Sequence, residues 1–217
     1  PARSEMCIRD RSVVASPVLV RAADRRAGWG LGPVMLIAAG VLARSLTGAD
    51  PLVFETTWAE DLLGPGTTVD IALRADGLSA FFALLALCIG GIVLIYSAAY
   101  LPKHDGNTSF YTIMTAFTLS VLLLVLADDV VLLFIGWELV SIASFLLIAR
   151  SGSSGEAGSF RTLALTFFGG LTLLTGLAIA AVTTGTTRLS EILAADVWQQ
   201  DSKLVTGVAL LIAISGF

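Results

Sequence analysis

The sequence predicts an all-α fold, a polytopic integral membrane helix bundle, and three observations predict it. Hydrophobic residues fill 56% of the 217 positions and charged residues only 14%, against about a quarter charged in soluble domains. Apolar runs recur along the chain, and as helices such runs cross the roughly 30 Å of hydrocarbon in a bilayer. Polar or glycine-bearing stretches, one of them long, divide the runs. Together these give about six to seven transmembrane helices, the first and last incomplete, and exclude a soluble binding module.

The elements follow in order. The chain starts at Pro1, and residues 5–11 (EMCIRDR) resemble the translation of a transposon-end adapter, so residues 1–11 read as non-native sequence. Residues 12–20 (SVVASPVLV) are too short to span and read as the tail of a first helix. A basic loop, RAADRR, leads to a second span at residues 28–43, loosened by Gly32, Pro33 and Gly40. Residues 44–76 form a long polar connection with six acids, and the alternation TTVDIAL at 67–73 predicts a short surface hairpin. The third span covers residues 78–101 and stops at Pro102. After the polar loop 103–107, the fourth covers 110–127. Asp128 and Asp129 turn the chain into the fifth span, Val130–Ala149. Residues 151–159 (SGSSGEAGS) read as a flexible loop and 162–182 as the sixth span. Residues 189–198 fit an amphipathic surface helix, and 204–217 open a seventh span.

Charge divides unevenly between the two sets of loops. Those after spans one, three and five hold Arg21, Arg25, Arg26, Lys103, Arg150 and Arg161 against Asp24, Asp105 and Glu156. Those after spans two, four and six hold four basic residues and eleven acids. The positive-inside rule therefore puts the first set in the cytoplasm.

Within Val130–Ala149 (VVLLFIGWELVSIASFLLIA) the only ionisable group is Glu138, ninth of twenty residues and so near the membrane midplane. A charge there costs about 2.5–3.5 kcal/mol on insertion scales, which an apolar side chain would avoid. Glu138 is therefore the first functional candidate; a polar anchor that hydrogen-bonds a neighbouring helix is the other role open to it. Ser141, one turn on, falls on the same helix face, and Trp137 with Phe145 seals the region. Small residues in span six (Thr162, Thr166, Gly169, Gly170, Gly176) and Thr112, Thr115 and Thr118 in span four suit close helix packing, or for the threonines a chain of waters. Cys7 and Cys88 supply no disulfide or metal spacing, and the single histidine, His104, lies in a loop. A membrane acyl or prenyl transferase would need an Asp, His or Cys cluster at one face, and only Asp128-Asp129 approaches that. No cofactor, metal or nucleic-acid partner is expected.

Three blocks then carry a resemblance. DGLSAFFALL from Asp76, with SAAYL from Ser97, resembles the two ends of the third helix in the antiporter-like membrane family. DDVVLLFIGWELVSIASFLLI from Asp128 is similar to that family's fifth-helix signature, whose WEL motif carries a glutamate. Arg161 followed by TLALTFFGGLTLLTG resembles the start of its sixth helix. The family includes the large subunit of Mrp-type multisubunit cation/proton antiporters and the proton-pumping membrane subunits of respiratory complex I, and the blocks favour the former. They run from about Asp76 to Phe217 in the family's order and spacing.

The resemblance implies inverted repeats of five spans. It also implies a central pair between a fifth-helix glutamate, matched by Glu138, and a seventh-helix lysine expected just past Phe217. Asp76 and Arg161 are matched as supporting residues. Residues 12–217 are then part of the first repeat with the start of helix seven. The implied function is Na+(K+)/H+ antiport by a multi-pass subunit in a bacterial plasma membrane, among other subunits and the lipid bilayer, with protons and monovalent cations as cargo. A complex I proton-pumping subunit is the alternative; as antiporter the chain is a secondary transporter subunit, not an enzyme. Physically, a carboxylate taken out of water gains a proton more readily, and a cation beside it opposes this. Movement of a lysine would thus switch proton affinity.

Overall fold

A computed structural model describes residues 26–45, 51–60, 68–101, 107–150, 153–200 and 202–216. Residues 1–11, the short first span and residues 103–106 of the predicted loop lie outside them. Among the described residues five helices are long and apolar enough to cross a membrane: α1 (Arg26–Ser45), α2 (Gly77–Tyr100), α3 (Asn107–Leu126), α4 (Val130–Ala149) and α5 (Ser153–Thr184). Two short surface helices, α6 (Leu189–Ala194) and α7 (Val197–Gln200), precede α8 (Ser202–Ser215). Between α1 and α2 lies an antiparallel pair, β1 (Leu52–Glu60) and β2 (Thr68–Ala75), joined in the register Leu52 opposite Ala75 with an irregularity at Thr57/Ala59. The predicted second to fifth spans and the start of the seventh thus reappear within a few residues, and the antiparallel pair stands where the hairpin is predicted.

The long helices form a row of antiparallel neighbours in chain order, α1 to α5, with α8 packed on α5. Two apolar clusters hold it. Met35, Ala39, Leu87, Leu94 and Tyr111 join α1, α2 and α3. Val130, Leu173, Leu177, Ala180, Ile192 and Val208 join α4, α5, α6 and α8. Lipid offers helices no hydrophobic reason to associate, so close backbone approach matters. Gly32 and Gly91 supply it: a Cβ on either would come within 3.0 Å of the other's carbonyl oxygen.

Two expectations need correction. The stretch read as a flexible loop at residues 151–159 is helical from Ser153, and α5 reaches 32 residues. Serine and glycine are poor helix formers, but packing overrides them: Ser159 is buried, and Phe160 meets Phe145 of α4 edge-on at 5.6 Å. The surface helix at 189–198 is two pieces, broken at Ala195–Asp196, where the Trp198 indole N–H turns back to the Ile192 carbonyl.

Helix ends explain the acids. Asp76 caps α2: its Oδ1 accepts from Leu78 N (3.1 Å) and Ser79 N (3.0 Å), while Ser79 Oγ accepts from Asp76 N (2.8 Å). Those bonds from Ser79, backbone first and then hydroxyl, hold the Asp76 carboxyl below its ordinary range. Asp129 caps α4, accepting from Val131 N (2.8 Å) and Leu132 N (3.2 Å). Both ends lie on the acidic side of the row. At the opposite end Arg150 donates to Ser109 Oγ across the α3–α4 pair.

Candidate functional site

Asp129 fixes where α4 begins and therefore how deep Glu138 lies, about 13 Å along the axis from the cap. The chain places Glu138 half-buried on the side of α4 that meets α5. Its Oε1 lies against Gly170: a Cβ at that position would overlap the oxygen, with Glu138 Cδ at 3.5 Å and Trp137 Cδ1 at 3.6 Å. One residue back, a Cβ on Gly169 would meet the Ser215 carbonyl oxygen of α8 at 2.8 Å. Glu138, the Gly169-Gly170 pair and the last turn of α8 thus share one junction. Among the described residues Glu138 has no hydrogen-bond or ion-pair partner.

The flanking residues divide. Trp137 packs on the α4–α5–α8 cluster, and its buried Nε1 has no partner among the described residues. Ser141 is buried too, but its hydroxyl donates to the Trp137 carbonyl of its own helix (3.0 Å) and not to Glu138. Arg161 is exposed on α5, nine residues or about 13 Å along the axis from Gly170. Asp76 sits at the cap of α2. The structure therefore gathers Glu138 with Trp137 and Ser141 and leaves Arg161 and Asp76 apart from them. Of the threonines, Thr112 and Thr118 donate to the carbonyls of Thr108 and Met114, whereas Thr115 Oγ1 is buried without a partner among the described residues.

Sequence reasoning missed a second polar centre at the acidic end. Asp128, read as a turn residue, is buried and accepts from Ser190 N (2.9 Å) and Ser190 Oγ (2.8 Å). Its backbone N–H donates to Ala72 of β2, and its carbonyl accepts from Leu189 N. Arg188 lies 3.9 Å from Asp128 and 2.7 Å from Glu55 of β1. That hydrogen bond, then the charge of Arg188, lowers the Glu55 carboxyl from its ordinary range. Contacts 62 residues apart left no signal in the local pattern. No group of three or more candidate metal ligands occurs among the described residues.

Comparison with known proteins agrees with this architecture. Residues 127–216 match the family described as NADH:quinone oxidoreductase/Mrp antiporter, transmembrane. Residues 63–111 match that described as NADH-ubiquinone oxidoreductase (complex I), chain 5 N-terminus. A chain named antiporter subunit mnhA2 from Staphylococcus saprophyticus is 36% identical over 152 residues, 69% of this chain and 19% of its own length. Its namesake from Staphylococcus aureus is 40% identical over 128 residues, 58% of this chain and 16% of that one. This chain therefore spans less than a fifth of the length of those relatives. In the structure of the Mrp complex from Dietzia sp., one chain superposes with a TM-score of 0.84 at 40% identity, over 93% of this chain and 22% of that one. An archaeal membrane-bound sulfane sulfur reductase shares the fold, with a TM-score of 0.70 at 20% identity, over 91% and 30% of the two chains. The chain is a multi-pass membrane protein of the antiporter-like family shared by Mrp antiporters and NADH:quinone oxidoreductase, and within that family it is like the large subunit of the Mrp complex.

Proposed function

We propose that this chain is part of a membrane subunit of a multisubunit Na+(K+)/H+ antiporter in a bacterial plasma membrane, and that Glu138 carries the translocated proton. One observation carries the reading: an ionisable group at mid-depth of an apolar helix, partnerless among the described residues, faces neighbouring helices at Gly170. Intramembrane carboxylates of this kind mark proton relays more than anchors, because an anchor would be hydrogen-bonded. The last turn of α8 lies against Gly169 at the same depth, which suits a lysine following in that helix. Residues 12–217 then belong to the first repeat of the transporter, with the Arg150 end cytoplasmic by the charge bias. Other subunits of the complex, the lipid bilayer, protons and monovalent cations are its partners.

The test is Glu138→Gln in the complete complex, read as proton flux in everted vesicles after a cation pulse, with assembly checked in parallel. Gln keeps shape and hydrogen bonding but carries no titrating proton. Exchange should fall roughly a hundredfold or more, and Glu138→Asp should keep part of it. Normal exchange in a well-assembled Gln variant would turn the residue into an anchor. The match of residues 63–111 to a complex I family favours the second reading, a proton-pumping subunit of NADH:quinone oxidoreductase. Flux that follows NADH oxidation and ignores the cation pulse would select it.

A further inference from the structure

Gly169 and Gly170, adjacent on α5, face different objects. Opposite Gly169 stands backbone, the Ser215 carbonyl oxygen of α8 at 2.8 Å from a built Cβ. Opposite Gly170 stands the free end of a flexible side chain, Glu138 Oε1. A methyl group at 169 would have to push two helices apart. One at 170 would instead swing the carboxylate away, since three side-chain torsions of the glutamate yield far more cheaply than packed backbone. The seat has a second wall in Trp137, whose Cδ1 is 3.6 Å from the same point and whose indole N–H is buried and unpartnered among the described residues.

We propose that Gly170 is a positioning residue. Its missing side chain lets the Glu138 carboxylate rest in the contact between α4 and α5, level with the last turn of α8, and so sets the geometry from which the proton is exchanged. Gly169, its neighbour, serves helix packing alone. The inference rests on the reading of Glu138 as the relay and names what holds the relay in place.

Gly170→Ala and Gly169→Ala, made in the complete complex, separate the roles. In everted vesicles Gly170→Ala should lower exchange on the order of tenfold to a hundredfold, the scale of small misplacements at a reacting group. It should also displace the pH profile of flux and leave the melting midpoint of the purified complex near the parent's. Gly169→Ala should lower the midpoint or the yield of assembled complex while keeping the parent's pH profile. A readout independent of transport is the rate at which dicyclohexylcarbodiimide modifies Glu138, followed by mass spectrometry with Glu138→Gln as the blank. That rate should change several-fold in Gly170→Ala and not in Gly169→Ala. If Gly170→Ala does not assemble, adding Glu138→Asp, whose carboxylate is set back by one methylene, should restore assembly; failure to restore it overturns the proposal. An unchanged labelling rate and pH profile in assembled Gly170→Ala would remove the seat and leave the relay reading standing. Normal exchange in Glu138→Gln would remove the relay, and with it the transport role of Gly170, even where labelling confirms the seat.

Discussion

Two polar centres of this molecule contrast in how their carboxylates are treated. At the acidic end, Asp128 and Asp129 are more deeply buried than Glu138, yet both accept hydrogen bonds, from Ser190 and from the first amides of α4. Around them the chain ties β2, α4 and α6 into one cap through backbone bonds from Asp128, Val130 and Leu189. In the middle of α4, Glu138 has no such partner among the described residues and lies against a bare glycine backbone. Burial alone therefore does not identify a working carboxylate. A buried acid whose lone pairs are taken up by amides and hydroxyls is structural, because moving it would strand several donors. An acid without such donors among the described residues is not held in this way, and on that ground Glu138 is the one proposed as the relay.

Experiments that break this contrast can be ranked by expected effect. The largest belongs to Glu138→Gln, which should remove exchange while barely moving the melting midpoint of the complex. At the other centre the pattern should invert. Asp129→Ala strands two amide donors in a buried cap and should cost about 2–3 kcal/mol, seen as a lower midpoint and reduced assembly, with exchange per assembled complex preserved. Loss of exchange in well-assembled Asp129→Ala would merge the two centres into one. A smaller effect, about 1 kcal/mol, is expected for Asp76→Ala, which loses the capping box at the exposed start of α2. Because the folded Asp76 carboxyl titrates below the ordinary value of 3.8, its contribution is complete above that value and fades as pH falls through the folded one. Asp76→Asn should flatten this part of the acid dependence of the midpoint. The smallest change should come from Glu55→Gln, which leaves Arg188 beside Asp128. The Glu55–Arg188 pair is half-exposed on the glutamate side, so any shift at low salt should vanish as salt shortens the Debye length.

Spans and hairpin were legible because lipid and water impose length and period on a local stretch of chain. The twenty residues Val130–Ala149 reappear unchanged as α4, and residues 68–73 of the alternation TTVDIAL fall in β2. The acid before each helix was legible for a similar reason, since capping is settled within four residues, as at Asp76 and Asp129. Where packing competes with propensity the sequence misled. The Ser-Gly stretch before Thr162 continues α5 because Ser159 and Phe160 are held against α4.

By itself, then, the sequence determined that this chain is a bundle of membrane helices and that one carboxylate, Glu138, stands midway along its span. Both follow from the hydrophobic length of a span and the position of a charge within it. Only the tertiary structure decided which acids are structural and what Glu138 faces. Asp128 finds Ser190 across 62 residues, and Glu138 finds Gly170 on the next helix. Helix rotation and register set both meetings, and they are fixed by close packing between neighbours, which no single stretch of sequence encodes.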